Sequence, residues 1–404
     1  MRLTCGGHRV HSGGLAAILS RLNDHAGWGQ VMDDVIVLGA GVMGSAAAYH
    51  LARAGQRVRV LEQYAVDHTL GSSVDASRIF RYAYDHPAYV ALARAAYPLW
   101  QALQDETGAH LMQYTGALDF GRADMESLLA FRQTLTETGV AHDWLTPAEV
   151  AQRFPQFHLD DDMMGLYHAE AGYLAAATCV ITLAQQAQQH GAVIQTGARV
   201  IDIQLGADSV TVRIESESFS AARLVLTAGS WTPQLLGALD LNLPLVPTRQ
   251  QVLYFETQDL RQFEPERFPV YITHGDFWYY GLPSVDGSGL KTAVHNKLGA
   301  VNPDTMKRTV DAEHVEQVRA FVRRYLPLAD GPLRSSRTCL YTMTPDEHFI
   351  VDRHPTAPQI VIGAGFSGHG FKFGILIGQI LADLALTGST PHDISLFQVT
   401  RFGA

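Results

Sequence analysis

The chain is poor in cysteine, has no surplus of positive charge and lacks a long apolar run, and each shortage excludes a class of protein. Three cysteines, at positions 5, 179 and 339, are all that its 404 residues hold. That number cannot build a disulfide framework, and no C-x-x-C pair suggests zinc, so no metal site is expected. Such usage fits a reducing, cytoplasmic setting. Thirty Lys and Arg against forty Asp and Glu give a formal charge of -10. Without a basic cluster interleaved with aromatics, a nucleic-acid partner is not expected. The apolar stretch FGILIGQILADLAL is broken by Gln379 and Asp383, well short of the roughly 20 residues a membrane span needs. No membrane partner is expected either.

What is present is a composition suited to a large core: 47% hydrophobic residues with 36 glycines, at a length that accommodates two or three domains. Residues 1–31 lack the apolar stretch and cleavage site of a secretory signal and read as a disordered extension, or as an upstream reading of the start codon. Met32 directly precedes the first strand-like run, DDVIVLGAG.

From Val35 the pattern VIVLGAGVMGSAAAYHLARAGQRVRVLEQ reads as a buried strand, a glycine turn, a small-residue helix ended by Gly55 and a second strand finishing at Glu62. In this βαβ unit Gly39 allows the tight turn, Gly41 lets a pyrophosphate approach the backbone, and Gly44 lets the helix pack closely on the sheet. The helix N-terminus offers free N–H groups and a positive dipole end to the phosphates. Glu62, eighteen residues after Gly44, is placed to accept hydrogen bonds from ribose hydroxyls. These features together predict a dinucleotide site.

Further strands of the same kind recur far along the chain, in VLTAGSWT and in QIVIGAGFSGHGFKFG, the second followed by a helix. Such a dispersed layout suits a flavin domain assembled from separated segments. Between them, TRQQVLYFETQ and DFWYYGLPSVDGSGLKTAVHNKLG are rich in β-branched and aromatic residues with turn signals, as in an antiparallel sheet. The predicted fold is α/β: a discontinuous Rossmann-like FAD-binding domain over 32–113, 172–243 and 337–404, and a substrate domain with a mostly antiparallel sheet over 114–171 and 244–336. The stripe Ala176, Cys179, Val180, Leu183, Ala184, Ala187 has helical spacing, so Cys179 reads as core. If GLKTAVH is a strand, Lys291, Ala293 and His295 share one face.

Seven pieces of the chain, GAGVMGSAAAYHLA, SRIFRYAY, YYGLPS, GLKTAVH, CLYTMTPDEHFIVDRHP, GFSGHGFKFG and LALTGSTPHDISLF, fall in an order that resembles the monomeric sarcosine oxidase and N-methyltryptophan oxidase family. This is a branch of the D-amino-acid-oxidase-like flavoproteins, and the likeness runs from about Asp34 to Phe402. It implies FAD, oxidation of the C–H next to a secondary amine nitrogen, and reoxidation by O2 to hydrogen peroxide. The implied substrate is a small secondary amino acid, sarcosine or another N-methyl amino acid, handled by a monomer. Alternatives are a cyclic substrate of the proline or pipecolate type, a dehydrogenase with another electron acceptor, and a flavin-binding subunit.

The resemblance also assigns roles. Cys339 matches the cysteine joined covalently to the flavin ring, against a reading as a small buried hydrophobe. Lys291 matches the lysine that activates oxygen, where a fixed ammonium stabilises superoxide in a low-dielectric site; the other reading is a solvated strand lysine. Arg81 and Lys372 match the pair that holds the substrate carboxylate. Arg78, on the same face as Arg81 if the segment is helical, matches the arginine beside the isoalloxazine ring. His295, Tyr341 and Tyr280 are implied pocket residues, with core packing as the alternative for each. Flavin contacts are further implied at Ser72 and Val200, and at Gly368 and Gly370, whose N–H groups would stabilise the reduced ring's negative charge. The chain departs from the family at Val74 and Asp75, where a His-Gly pair is common, and at Tyr82, where histidine is frequent. The first departure bears on packing against the flavin, the second on pocket size.

Overall fold

The computed structural model describes residues 32–73, 75–295 and 299–403. The expectation for 1–31 and the departure at Val74 therefore lie outside the described residues. Two large sheets carry the fold. Through the first run β10 (Val200–Leu205), β11 (Val210–Ile214), β12 (Ser218–Leu226), β1 (Asp33–Leu38), β2 (Val58–Leu61) and β9 (Val193–Gln195), in that order. Alongside β12 lies β19 (Ile360–Ala364), which pairs in turn with β18 (Ile350–Arg353). The central pairs β1·β12, β1·β2, β2·β9 and β12·β19 are parallel.

The strand β1 explains why its sequence is apolar without alternation. Val35 and Val37 join one buried cluster while Ile36 and Leu38 join another, so both faces of the sheet are covered. Of the longer helices, α1 (Val42–Arg53), α2 (Pro87–Thr107), α4 (Ala176–Gln189) and α6 (Gly374–Thr387) pack on one face. As predicted, Cys179 sits fully buried on α4 with the rest of its stripe.

The second sheet orders β17 (Leu333–Met343), β13 (Val246–Phe255), β16 (Leu290–His295), β15 (Trp278–Leu282), β14 (Val270–His274), β5 (Ala117–Arg122), β7 (Met163–His168) and β6 (Asp143–Leu145). Only β14·β5 is parallel, so the sheet is mostly antiparallel as expected. Helix α5 (Ala312–Tyr325) covers it through Val318, Phe321 and Val322, and α3 (Glu126–Glu137) packs Leu128, Phe131 and Leu135 near β5 and β7. The expected domain boundary at 337 falls inside β17, which pairs with β13 from Leu333 to Met343. A small third sheet joins β3 (Arg78–Phe80), β8 (Gly172–Leu174) and β4 (Met112–Tyr114). The segment bearing Arg78 is thus a strand and not the helix considered from the sequence; its pairing with β8 decides its conformation. No helix among the described residues is long and apolar enough to cross a membrane.

Candidate active site

The βαβ turn forms the floor of a groove. Gly39 has φ +94, and a Cβ there would stand 2.7 Å from the Thr227 carbonyl oxygen at the end of β12. At Gly44 a Cβ would come 1.8 Å from the Gly39 oxygen, so this glycine serves the close packing of α1 that its spacing predicted. Gly41 opens on the groove, and the first helical N–H, that of Val42, donates to Ser73 Oγ at 3.0 Å. Glu62 and Val200 form part of one wall. The Glu62 carboxylate is buried and fixed by the N–H groups of Ala40 (2.7 Å) and Tyr64 (2.8 Å). Ser72 donates to the Leu340 carbonyl at 2.6 Å, tying the loop after β2 to β17. Gly368 and Gly370 lie at the far end, after β19.

This groove runs into a second cavity of about 740 Å³, the two sharing Arg78, Tyr341, Gly368 and Phe371 as walls. Around the second cavity stand Lys291, His295, Tyr280, Cys339, Arg81 and Lys372. The sequence had indicated all of them. Strand period accounts for two pairs: Lys291 with His295 on β16, and Cys339 with Tyr341 on β17. Cys339 is half-buried, and burial pushes its thiol above the usual value against the opposing Arg78 charge. Burial also pushes the Tyr341 phenol up to about 12, and raises Tyr280 well above its ordinary value. The His295 ring lies 5.3 Å from that of Tyr341.

The cationic groups are held by partners that the sequence did not announce. Lys291 Nζ donates to the Ser77 carbonyl at 2.7 Å and lies 2.7 Å from Asp75 Oδ2. Burial lowers its pKa to about 8, with the Asp75 charge opposing that fall. Arg78 donates to Asp75 (3.2 Å), to the Ser77 carbonyl (3.0 Å) and to the Ser72 carbonyl (3.0 Å). Arg81 donates to Asp119 on β5 at 3.2 Å, with its guanidinium 4.9 Å from the Tyr84 ring and 5.0 Å from that of Phe131. Asp119 is fully buried, is shared with His274 at 3.2 Å, and has an Oδ2 without a hydrogen-bond partner among the described residues. Lys372 Nζ donates to the Tyr84 hydroxyl and the His369 carbonyl, both at 2.7 Å. Burial, then the Arg81 charge, holds Lys372 well below its usual value.

Asp75 reaches Lys291, Asp119 reaches Arg81 and Tyr84 reaches Lys372 from separate segments, which is why spacing alone did not reveal these pairs, whereas Asp75 and Arg78 are only three residues apart. Tyr82 differs from expectation: it is absent from the cavity wall, packing instead 4.9 Å from the Tyr97 ring.

Residues 34–384 match the family described as FAD dependent oxidoreductase. The chain belongs to this family. It is 37% identical over 373 residues to a monomeric sarcosine oxidase of Bacillus sp. (strain B-0618), covering 91% of this chain and 96% of that one. To the human peroxisomal sarcosine oxidase it is 36% identical, again with 91% and 96% covered. An N-methyl-L-tryptophan oxidase of Yersinia pestis (strain Pestoides F) is 31% identical, with 91% and 99% covered. Among solved structures, NikD, an amino acid oxidase essential for nikkomycin biosynthesis, superposes with a TM-score of 0.81 at 25% identity, over 91% of this chain and 97% of that one.

FAD is accordingly the cofactor of this FAD-dependent oxidoreductase. The residues present fit it. A dinucleotide needs a backbone-lined turn at a helix N-terminus, an acidic residue at the end of the second strand and open space for a planar ring. Gly39, Gly41 and Glu62 supply the first two, and the junction walled by Arg78, Tyr341 and Gly368 supplies the third.

Proposed function

We propose that this FAD-dependent oxidoreductase oxidises a secondary amino acid, sarcosine or another N-methyl amino acid, and passes the electrons to O2. Bound FAD supplies the two-electron oxidation of the C–H next to nitrogen; water hydrolyses the released imine to amine and aldehyde, and O2 becomes hydrogen peroxide. The single observation that carries the reading is the pair of buried cations, Arg81 and Lys372, in a cavity that opens onto the dinucleotide groove. Among the described residues the hydrogen-bond partners of Lys372 are neutral, and Asp119 takes one of Arg81's several N–H donors. A substrate carboxylate arriving between them offsets the burial and the mutual repulsion that depress Lys372. Tyr280 and Tyr341 then face the amine end, exclude water and contact its methyl group. His295 completes that wall, and Lys291 meets O2.

In the same reading Cys339 carries the flavin through a thioether, and Ser72, Val200, Arg78, Gly368 and Gly370 contact it. Both large sheets serve both ligands: β17 of the second sheet brings Cys339 to the flavin, and the loop after β19 of the first brings Lys372 to the substrate carboxylate. The enzyme acts as a monomer in the cytoplasm, a reading supported by relatives named monomeric sarcosine oxidase and by the low cysteine content.

The test is peroxide release by the purified chain from sarcosine, other N-methyl amino acids, proline and pipecolate. Turnover of an N-methyl amino acid with peroxide equal to O2 consumed is expected. Turnover only of the cyclic compounds would replace the substrate, and turnover only with an artificial electron acceptor would replace O2.

A further inference from the structure

Asp75 stands where the resembled family commonly carries glycine, and its side chain is almost fully buried. Among the described residues, the charged or titratable groups that face it come from β3, β13, β16 and β17, the Cys339 thiol of β17 included. Lys291 of β16 lies 2.7 Å from Oδ2 and Arg78 of β3 lies 3.2 Å from it. The Tyr254 hydroxyl of β13 donates to Oδ1 at 2.6 Å, and Arg337 of β17 is at the margin, 4.0 Å away. Lys291 itself is faced by Asp75, Arg78 and Cys339. An ammonium buried this deeply sheds its proton unless a partner opposes the loss. The carboxylate at 2.7 Å is that partner.

We propose that Asp75 is a positioning residue for oxygen reduction, clamping the Lys291 ammonium in place and holding its proton. This rests on the reading of Lys291 as the group that meets O2. Asp75 touches neither substrate nor O2 and acts through the lysine. Its charge does not cancel the effect, because Lys291 and Arg78 together set two cations against one anion, and the cluster stays positive. The anion formed when O2 takes up an electron is therefore still met by net positive charge. A glycine at this position supplies no such clamp.

The test compares Asp75→Asn, Lys291→Met and the wild-type holoenzyme in two measurements across pH: reoxidation by O2 after anaerobic reduction, and the visible absorption of the oxidised, substrate-free enzyme. In the wild type both should titrate near pH 8, reoxidation slowing as the lysine loses its proton. Asp75→Asn should move both midpoints down by about one unit or more, making reoxidation at the wild-type midpoint about fivefold slower or more, with recovery as pH falls. Lys291→Met should be slow at every pH and lack the spectral step. If the Asn variant does not fold, Asp75→Gly removes the carboxylate without adding bulk and should shift the midpoints the same way. Midpoints unchanged in the Asp75 variants, with Lys291→Met slow, would overturn the role of Asp75 alone. Fast reoxidation in Lys291→Met would instead overturn the reading of the lysine on which that role depends.

Discussion

Lys372 and Lys291 are two buried ammonium groups on one cavity, yet their surroundings prepare them for different work. Lys372 has neutral partners, so an incoming carboxylate finds it unsatisfied as a charge. Replacing it by Met removes a charged hydrogen bond worth about 1.5–3 kcal/mol, so KM for an N-methyl amino acid should rise about 10- to 100-fold. Steady-state kinetics check this, and an unchanged KM would place the carboxylate elsewhere. Lys291 has a pH signature in stability. Its folded pKa of about 8 lies below its usual 10.5, so the unfolded chain binds more protons between those values. Stability from this group is full above the unfolded pKa and is lost as pH falls through about 8. Lys291→Met lacks that dependence, so its stability relative to wild type should grow as pH falls from 10.5 to about 8, then level off. Urea unfolding at stepped pH measures the difference; a flat difference would refute the depressed pKa. For Cys339, wild-type protein should stay yellow through acid precipitation and carry the mass of one FAD. Cys339→Ala should fold but release its flavin on denaturation. Flavin washing out of both alike would reduce the thiol to a packing group.

The element that was most legible in the sequence is the β1–α1–β2 unit, because its chemistry is local: turn, helix start and acidic residue all lie between Asp33 and Glu62. Its tolerance should be correspondingly low. A Cβ at residue 44 would overlap the Gly39 oxygen at 1.8 Å, so Gly44→Val should displace α1 and cost about 1–3 kcal/mol or more. Urea midpoint and flavin content should both drop; normal flavin content would show that the turn adapts. Strand period also correctly set Lys291 and His295 on one face, toward the same cavity. It could not set Asp75 beside Lys291, or Asp119 beside Arg81, because those contacts join residues 216 and 38 positions apart through sheet pairing. The same limit explains Arg78: SRIFRY is too short to declare a period, and its strand conformation comes from the β8 partner. Tyr82, expected to bear on pocket size, packs on Tyr97 and is not among the residues that line the cavity.

On the scale of the whole molecule, the flavin groove draws its walls from the loops after β1 and β2, from Val200, from the end of β12, from β17 and from the loop after β19. Bound cofactor should therefore stabilise the entire fold. In the Cys339→Ala protein stripped of flavin, FAD at about 100 times its Kd should add about 2.7 kcal/mol. Thermal melts at increasing FAD would show the midpoint climbing; a midpoint indifferent to FAD would mean that the groove is not its site. The same scattering of walls governs the order in which the protein can be made. Strand β1 waits for β12, which pairs with it some 190 residues later, and β12 waits again for β19. Gly368 and Gly370, which border the groove, lie some 330 residues after Gly39 at its floor. Loading of the flavin therefore follows the pairing of segments some 190 residues apart, and slow long-range closure of this kind leaves the apolar faces of β1 and β2 open to aggregation until it is complete.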